Sequence, residues 1–285
     1  MCRFIAYIGK PIVMSTLVIE PSNSLVNQST SAHETEEPLN GDGFGLGWYN
    51  NRLAETPALY TSVRPAWNDR NLIYLADKIR SNCIFAHVRA ATEGVVNELN
   101  CHPFHYKKFL FMHNGSIGGF NSIKRYLRRD LSDEIYEWVK GQTDSEHFFA
   151  IFLNKLNTQN PEPIADNYAK LLQETVVHIE KIKKEHNITE TSYINVALTD
   201  GEKLVALRYV SSSEEEPSTL YYSEGTKYVC VDGVCKMVVE NPEEHSVLVV
   251  SEKLTDSRSD WKPIPRNFIL LVKKDLSCHL RPMEV

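Results

Sequence analysis

A cysteine stands second in the chain, in Met1-Cys2-Arg3-Phe4-Ile5-Ala6-Tyr7. Removal of the initiator methionine would put a thiol and a free α-amino group on one residue. The amine titrates near pH 8 (roughly 7.7–8.0) and a free thiol at about 8.5, so one can serve as base for the other. An N-terminal amine can activate a hydroxyl nucleophile, and sulfur is the stronger nucleophile. By position alone, Cys2 fits a small buried residue opening a strand better than it fits a nucleophile.

Three further runs could do chemistry. Phe85-Ala86-His87-Val88-Arg89-Ala90-Ala91-Thr92 carries an arginine off the end of a buried strand. A guanidinium there needs an anion, and its fork suits a carboxylate gripped at both oxygens. An ion pair with one of the chain's own acids accounts for it equally well. Met112-His113-Asn114-Gly115 ends in a dipeptide that alone reads as a turn. It also offers a side-chain amide and an unhindered backbone N–H, two donors for a developing oxyanion. Asp144 sits in the first turn of a helix, where the helix dipole favours a carboxylate anyway. Beside a buried site, the same acid could bind a substrate ammonium. Histidines 87, 102, 105, 113 and 147, with Cys101, match no standard zinc spacing. No metal and no cofactor is expected.

These residues must be positioned by strand ends and helix starts. Residues 3–8 and 12–19 read as two strands joined by a turn at Gly9–Pro11, and a short helix is expected near 24–29. In Asn40-Gly41-Asp42-Gly43-Phe44-Gly45-Leu46-Gly47-Trp48-Tyr49, the apolar residues alternate with glycines at period two. No Gly-Lys-Ser/Thr follows, so this is a strand with a bare face for close packing or substrate, not a nucleotide loop. Asn68-Asp69 caps a helix to about residue 81. Strands are expected at 83–89 and 108–112, the second ending at His113-Asn114-Gly115. A helix covers 121–129. Thr143 and Glu146 form a capping box for a buried helix to about 156, and an amphipathic helix spans 164–186. Asp200-Gly201 marks a hairpin between strands. Further strands near 219–223, 227–231, 234–240, 246–250 and 267–272 make the chain α+β in one unit.

Composition narrows the class. The chain has 285 residues, 42% of them hydrophobic and 24% charged, which suits a soluble globular protein. A net charge of −6 argues against nucleic-acid binding. The basic run Lys124-Arg125-Tyr126-Leu127-Arg128-Arg129 reads as a solvated helix face. No run is long enough to span a membrane, and Lys10-Pro11 interrupts the first apolar stretch. Cysteines at 2, 83, 101, 230, 235 and 278 do not resemble a disulfide framework, so a reduced, cytoplasmic setting is expected.

The runs Met1-Cys2-Arg3, Gly41 to Tyr49, His87-Val88-Arg89-Ala90-Ala91-Thr92, Asn100-Cys101-His102-Pro103-Phe104, His113-Asn114-Gly115 and Thr143-Asp144-Ser145-Glu146 occur in one order. In that order the sequence resembles the class II glutamine amidotransferases, which are N-terminal-nucleophile hydrolases. Weaker matches at Leu220-Tyr221-Tyr222 and Val250-Ser251-Glu252 extend the resemblance over nearly the whole chain. Lys253 departs from it, since relatives often carry proline there. The resemblance is strongest to the stand-alone branch of γ-glutamyl hydrolases in ergothioneine synthesis and amidotransferase subunits in glutathione degradation.

The resemblance implies a four-layer αββα sandwich, with residues 2–285 forming one domain after loss of Met1. It implies Cys2 as nucleophile with its own amine as base, and Asn114 and Gly115 as the oxyanion hole. Arg89 would hold the substrate α-carboxylate, Thr92 would lie beside it, and Asp144 would hold the α-amino group. The implied reaction is hydrolysis of a γ-glutamyl amide in glutamine, glutathione or a related compound. One alternative is a glutaminase subunit feeding ammonia to a separate partner, peptidase-like or synthase. Another is a non-catalytic binding protein on the same fold.

Overall fold

The computed structural model describes residues 2–91, 94–231, 234–241, 244–257 and 259–284. It opens with β1 (Arg3–Val13), α1 (Ser15–Val18) and α2 (Leu25–Ser31). Ser24 caps α2 by accepting the Asn27 amide. β2 (Phe44–Trp48) and β3 (Ala58–Ser62) form a hairpin, followed by α3 (Arg70–Ala76) and β4 (Arg80–Val88). β5 (Phe104–Tyr106) and β6 (Phe109–Ser116) lead into α4 (Phe120–Arg129), α5 (Asp133–Trp138), α6 (Asp144–Gln159) and α7 (Ala165–Glu185). Next come β7 (Tyr193–Thr199), β8 (Leu204–Val210), β9 (Tyr221–Gly225), β10 (Lys227–Val231) and β11 (Val234–Val238). β12 (Ser246–Val250), β13 (Lys262–Pro263), β14 (Phe268–Val272) and β15 (Cys278–Pro282) complete the set.

Apart from the two-stranded β10–β11 ribbon, the strands form two antiparallel sheets, ordered β13-β9-β12-β1-β4-β2-β3 and β15-β14-β8-β7-β6-β5. Side-chain alternation along β1 decides the layering. Phe4, Ala6 and Ile8 point to one side, onto Leu110 and Met112 of β6, and fill the space between the sheets. Ile5 and Tyr7 point to the other, onto Leu17, Leu25 and Leu72 of the first three helices. Along β6, Phe109 and Phe111 turn away from the inter-sheet core and meet Phe148, Phe149 and Phe152 of α6. Three apolar layers therefore separate four layers of structure, and the chain is an αββα sandwich.

Several local expectations are corrected. β1 does not break at Gly9–Pro11; it pairs with β4 as far as Val13, absorbing the proline in a register shift between Ile8 and Ile12. Residues 15–18 are helical rather than extended. α3 stops at Ala76, and α5 is an additional helix. β6 runs through His113, Asn114 and Gly115 because β7 pairs with each of them. The Asp200-Gly201 hairpin stands as expected.

The bare face of β2 serves packing by another backbone. A Cβ on Gly45 would overlap the His102 carbonyl, and one on Gly47 would lie 2.8 Å from Leu110. Cys230 and Cys235 are disulfide-bonded across the β10–β11 ribbon, a pairing not expected from cysteines that read as no disulfide framework. The pair sits opposite in register, a juxtaposition that the sequence spacing alone does not reveal. Cys2, Cys83, Cys101 and Cys278 are free thiols. Among the described residues, no helix is long and apolar enough to cross a membrane.

Candidate active site

Sheet register gathers the chemistry at one end of the sandwich. Arg3 of β1 pairs opposite Val88 of β4, so Cys2 and Arg89 extend from neighbouring strands at the same edge. Cys2 Sγ lies 3.4 Å from the Ala90 amide, which donates to it, and 3.3 Å from the Ala90 carbonyl. Burial pushes the thiol pKa up, opposed by the Ala90 amide and by the charges of Arg89 and Arg3. Burial thus favours the protonated thiol.

The residue after the cysteine anchors it. Arg3 is fully buried; its Nη1 donates to the Cys2 carbonyl at 2.8 Å and its Nε to Glu252 at 3.1 Å. Glu252 also accepts from Asn23 Nδ2 and from the His33 and Glu34 amides. One buried carboxylate therefore ties the first strand to the loop that follows α2 and to Asn23 ahead of it. This pair is satisfied on both sides, the condition under which burying it is tolerable.

Ser251 makes the link to the second sheet. Its hydroxyl accepts the Phe4 amide at 3.1 Å and the Asn114 side-chain amide at 3.4 Å. Asn114 is buried, and its Oδ1 has no hydrogen-bond partner among the described residues. Gly115 has φ +146°, and a side chain there would strike the Tyr193 carbonyl, so only glycine fits at this position.

Asp144 opens α6, with Thr143 Oγ1 accepting the Glu146 amide as the cap. The capping box is only half formed: Glu146 Oε1 accepts instead from the Lys140 and Gly141 amides, which the incoming loop brings to it. Asp144 Oδ2 accepts from the Ile117 amide at 2.8 Å, just beyond the Asn114-Gly115 pair. Its Oδ1 accepts from the Ser145 amide at 2.8 Å. Helix α6 and strand β6 are thereby locked together. Arg89 is buried, with Nη1 3.4 Å from the Val95 carbonyl and its own amide bonded to Gly43. Thr92 lies outside the described residues.

Among the described residues no cluster of three or more ligating side chains occurs. His87 and His102 stack at 4.2 Å, both buried. Burial lowers the His87 pKa to about 3 and that of His102 well below its ordinary value, so the stack is neutral. The sequence assigns no role to Arg3 or Ser145, and it offers Ser251 and Glu252 only as a weak family match. A signal existed in the type of Arg3: a charged residue inside an apolar strand run requires a buried partner. Together this end of the fold holds a thiol, two cations, amide donors and two carboxylates, one of them paired with Arg3, a set suited to acyl transfer from an amino-acid-like substrate.

Residues 14–277 match the family model described as "Glutamine amidotransferases class-II". That range includes Arg89, Asn114, Gly115 and Asp144 and begins after Cys2. The probable glutamine amidotransferase DUG3 of Saccharomyces cerevisiae is 39% identical over 293 residues, covering 96% of this chain and 82% of that protein. A γ-glutamyl-hercynylcysteine sulfoxide hydrolase of Mycobacterium tuberculosis is 34% identical over 119 residues, covering 41% of this chain and half of that one. Among solved structures, a glutamine aminotransferase class-II domain protein from Silicibacter pomeroyi superposes with a TM-score of 0.68 at 25% identity, covering all of both chains.

Proposed function

This chain belongs to the class II glutamine amidotransferases, and from that premise we propose that it hydrolyses a γ-glutamyl amide bond through a thioester on Cys2. It is an enzyme of the glutamine amidotransferase type. In this reading residues 2–285 act as one domain once Met1 has been removed. The observation that carries it is the Ser251 hydroxyl, bonded both to the Phe4 amide, two residues past the thiol, and to the Asn114 side chain. Nucleophile and oxyanion donor are thereby held on one point.

The steps follow from the groups. The freed α-amino group of Cys2 takes the thiol proton, through a water, and the thiolate attacks the γ-carbonyl carbon. Asn114 Nδ2 and the Gly115 N–H receive the oxyanion. The C–N bond breaks as the α-ammonium returns its proton to the leaving amine. Water then attacks the thioester and releases glutamate. Arg89, with Thr92 beside it, holds the α-carboxylate and Asp144 holds the α-ammonium, which fixes the scissile bond against the sulfur.

Arg89 and Asp144 address only the glutamyl head, so the leaving group is set elsewhere. Glutamine, glutathione and related γ-glutamyl compounds are the candidates, in a cytoplasmic setting and with or without a partner subunit, peptidase-like or synthase. A relative named as a γ-glutamyl-hercynylcysteine sulfoxide hydrolase supports the hydrolytic reading. The test incubates protein with mature Cys2 with each compound and measures glutamate together with the second product. Release above a Cys2→Ala control is expected for at least one compound. None across the panel, alone or with an ammonia acceptor and its synthase, would refute the proposal.

A further inference from the structure

His113 takes no part in the proposed steps, yet it is buried at the junction of the oxyanion pair and the ammonium site. Its ring Nε2 lies 3.3 Å from the Tyr193 carbonyl and its Nδ1 lies 2.8 Å from Ser145 Oγ. Ser145 Oγ in turn lies 3.3 Å from Asp144 Oδ1. The His113 carbonyl is 3.3 Å from His87 Nε2. The residue is therefore held at three points, on β4, β7 and α6.

The chemistry of these partners fixes the proton. A carbonyl oxygen only accepts, so Nε2 carries the hydrogen and donates to Tyr193. The opposite tautomer would set a bare nitrogen lone pair against that carbonyl. Burial lowers the pKa of His113, and only the Asp144 charge opposes this, so the ring is neutral and Nδ1 is an acceptor. A hydroxyl has one hydrogen. Ser145 gives its hydrogen to the acceptor at 2.8 Å and not to the carboxylate at 3.3 Å.

We infer that His113 is a positioning residue for the ammonium site: by accepting the Ser145 hydroxyl proton, it keeps that hydroxyl from capping Asp144 Oδ1. Among the described residues, Asp144 then receives only the Ile117 and Ser145 amides, one on each oxygen. The remaining lone pairs stay open to a substrate ammonium. The same ring underlies Gly115, where an added Cβ would lie 3.0 Å from Nε2, so the ammonium site and the oxyanion donor share a support. The inference rests on Asp144 being the ammonium site of the proposed function.

The test titrates the full chain with glutamate and with glutarate, which lacks the α-amino group. His113→Phe keeps the ring volume and removes the acceptor, turning the hydroxyl onto Asp144. Glutamate affinity should fall roughly tenfold, the scale of one hydrogen bond to a charged group, while glutarate affinity stays unchanged. Adding Ser145→Ala to that variant removes the competing hydroxyl and should restore glutamate binding. Equal losses for both ligands, no loss for either, or no recovery in the double variant overturns the inference. Nitrogen-15 shifts of His113 in the unmodified protein decide it without variants: the Nε2–H tautomer is expected, and Nδ1–H overturns it. Failure of the unmodified protein to bind either ligand would instead remove the proposed site, and this inference with it.

Discussion

The Asn114 side chain donates to the Ser251 hydroxyl at 3.4 Å, across 137 residues of sequence. The same hydroxyl takes the Phe4 amide, so a single oxygen spans the two sheets. Ser251→Ala leaves two buried donors without an acceptor, at about 1–3 kcal/mol each in stability. In the proposed reaction it also frees the oxyanion donor to rotate. The expected outcome is a fall of roughly tenfold or more in kcat, with KM little changed, read from steady-state glutamate release. A rise in KM alone would assign Ser251 to substrate binding instead.

Retention of residues ahead of Cys2 should silence the enzyme without unfolding it. An extension blocks the α-amine, and the thiol, which burial keeps protonated, then lacks its base. Intact mass and glutamate release, measured on the same samples, should track one another. An active extended protein would show that another group deprotonates the sulfur.

Arg89→Lys keeps the charge but loses the planar fork that grips a carboxylate at two oxygens. KM for the preferred γ-glutamyl compound should rise on the order of tenfold or more. A substrate analogue lacking the α-carboxylate should be hydrolysed equally well by both proteins. If the analogue suffers the same loss, the arginine acts on the fold and not on the substrate.

Arg3 and Glu252 are separated by 249 residues and are both about 1% exposed. Glu252→Ala leaves the guanidinium buried without its anion, a loss of about 3–5 kcal/mol. Denaturant unfolding should show that loss. Glu252→Gln, which keeps the shape and some of the acceptors, should cost less.

Acid should destabilise the fold through histidines that are neutral when folded. Burial holds His87 at about 3 and His147 at about 4, against an ordinary value near 6.5. Between those values the unfolded chain binds the extra proton, so stability is complete above about pH 6.5 and falls as pH drops. Each histidine contributes a slope of roughly 1.4 kcal/mol per pH unit until its folded pKa is reached. Replacing His87 by Gln should flatten the stability profile between pH 4 and 6.5.

The residues visible from sequence are those that local pattern puts at the end of an element. Arg89 follows a strand, Asp144 starts a helix behind its threonine cap, and Asn114-Gly115 carries two donors on adjacent residues. Their assembly came from the order of the motifs in the family, since no local rule brings Cys2 beside Ala90. What escaped detection depends on contacts far along the chain. Ser251 and Glu252 gain meaning only when β12 lies against β1. Asn114 looked like a turn because its strand partner, Asn195, comes 81 positions later. Proline at 11 looked like a break because the register shift that accommodates it belongs to the partner strand as much as to β1.

β1 occupies an interior place in its sheet, between β4 and β12. Its ladder to β12 uses Val247 to Val250, so the first strand is not enclosed until nearly the last strands exist. During synthesis at 5–20 residues per second, the segment bearing Cys2 waits roughly 12–50 s for that partner. The head of the nascent chain is therefore open to an aminopeptidase through most of its translation. If Met1 is removed, as the proposed function requires, its trimming can precede closure of the sheet over β1.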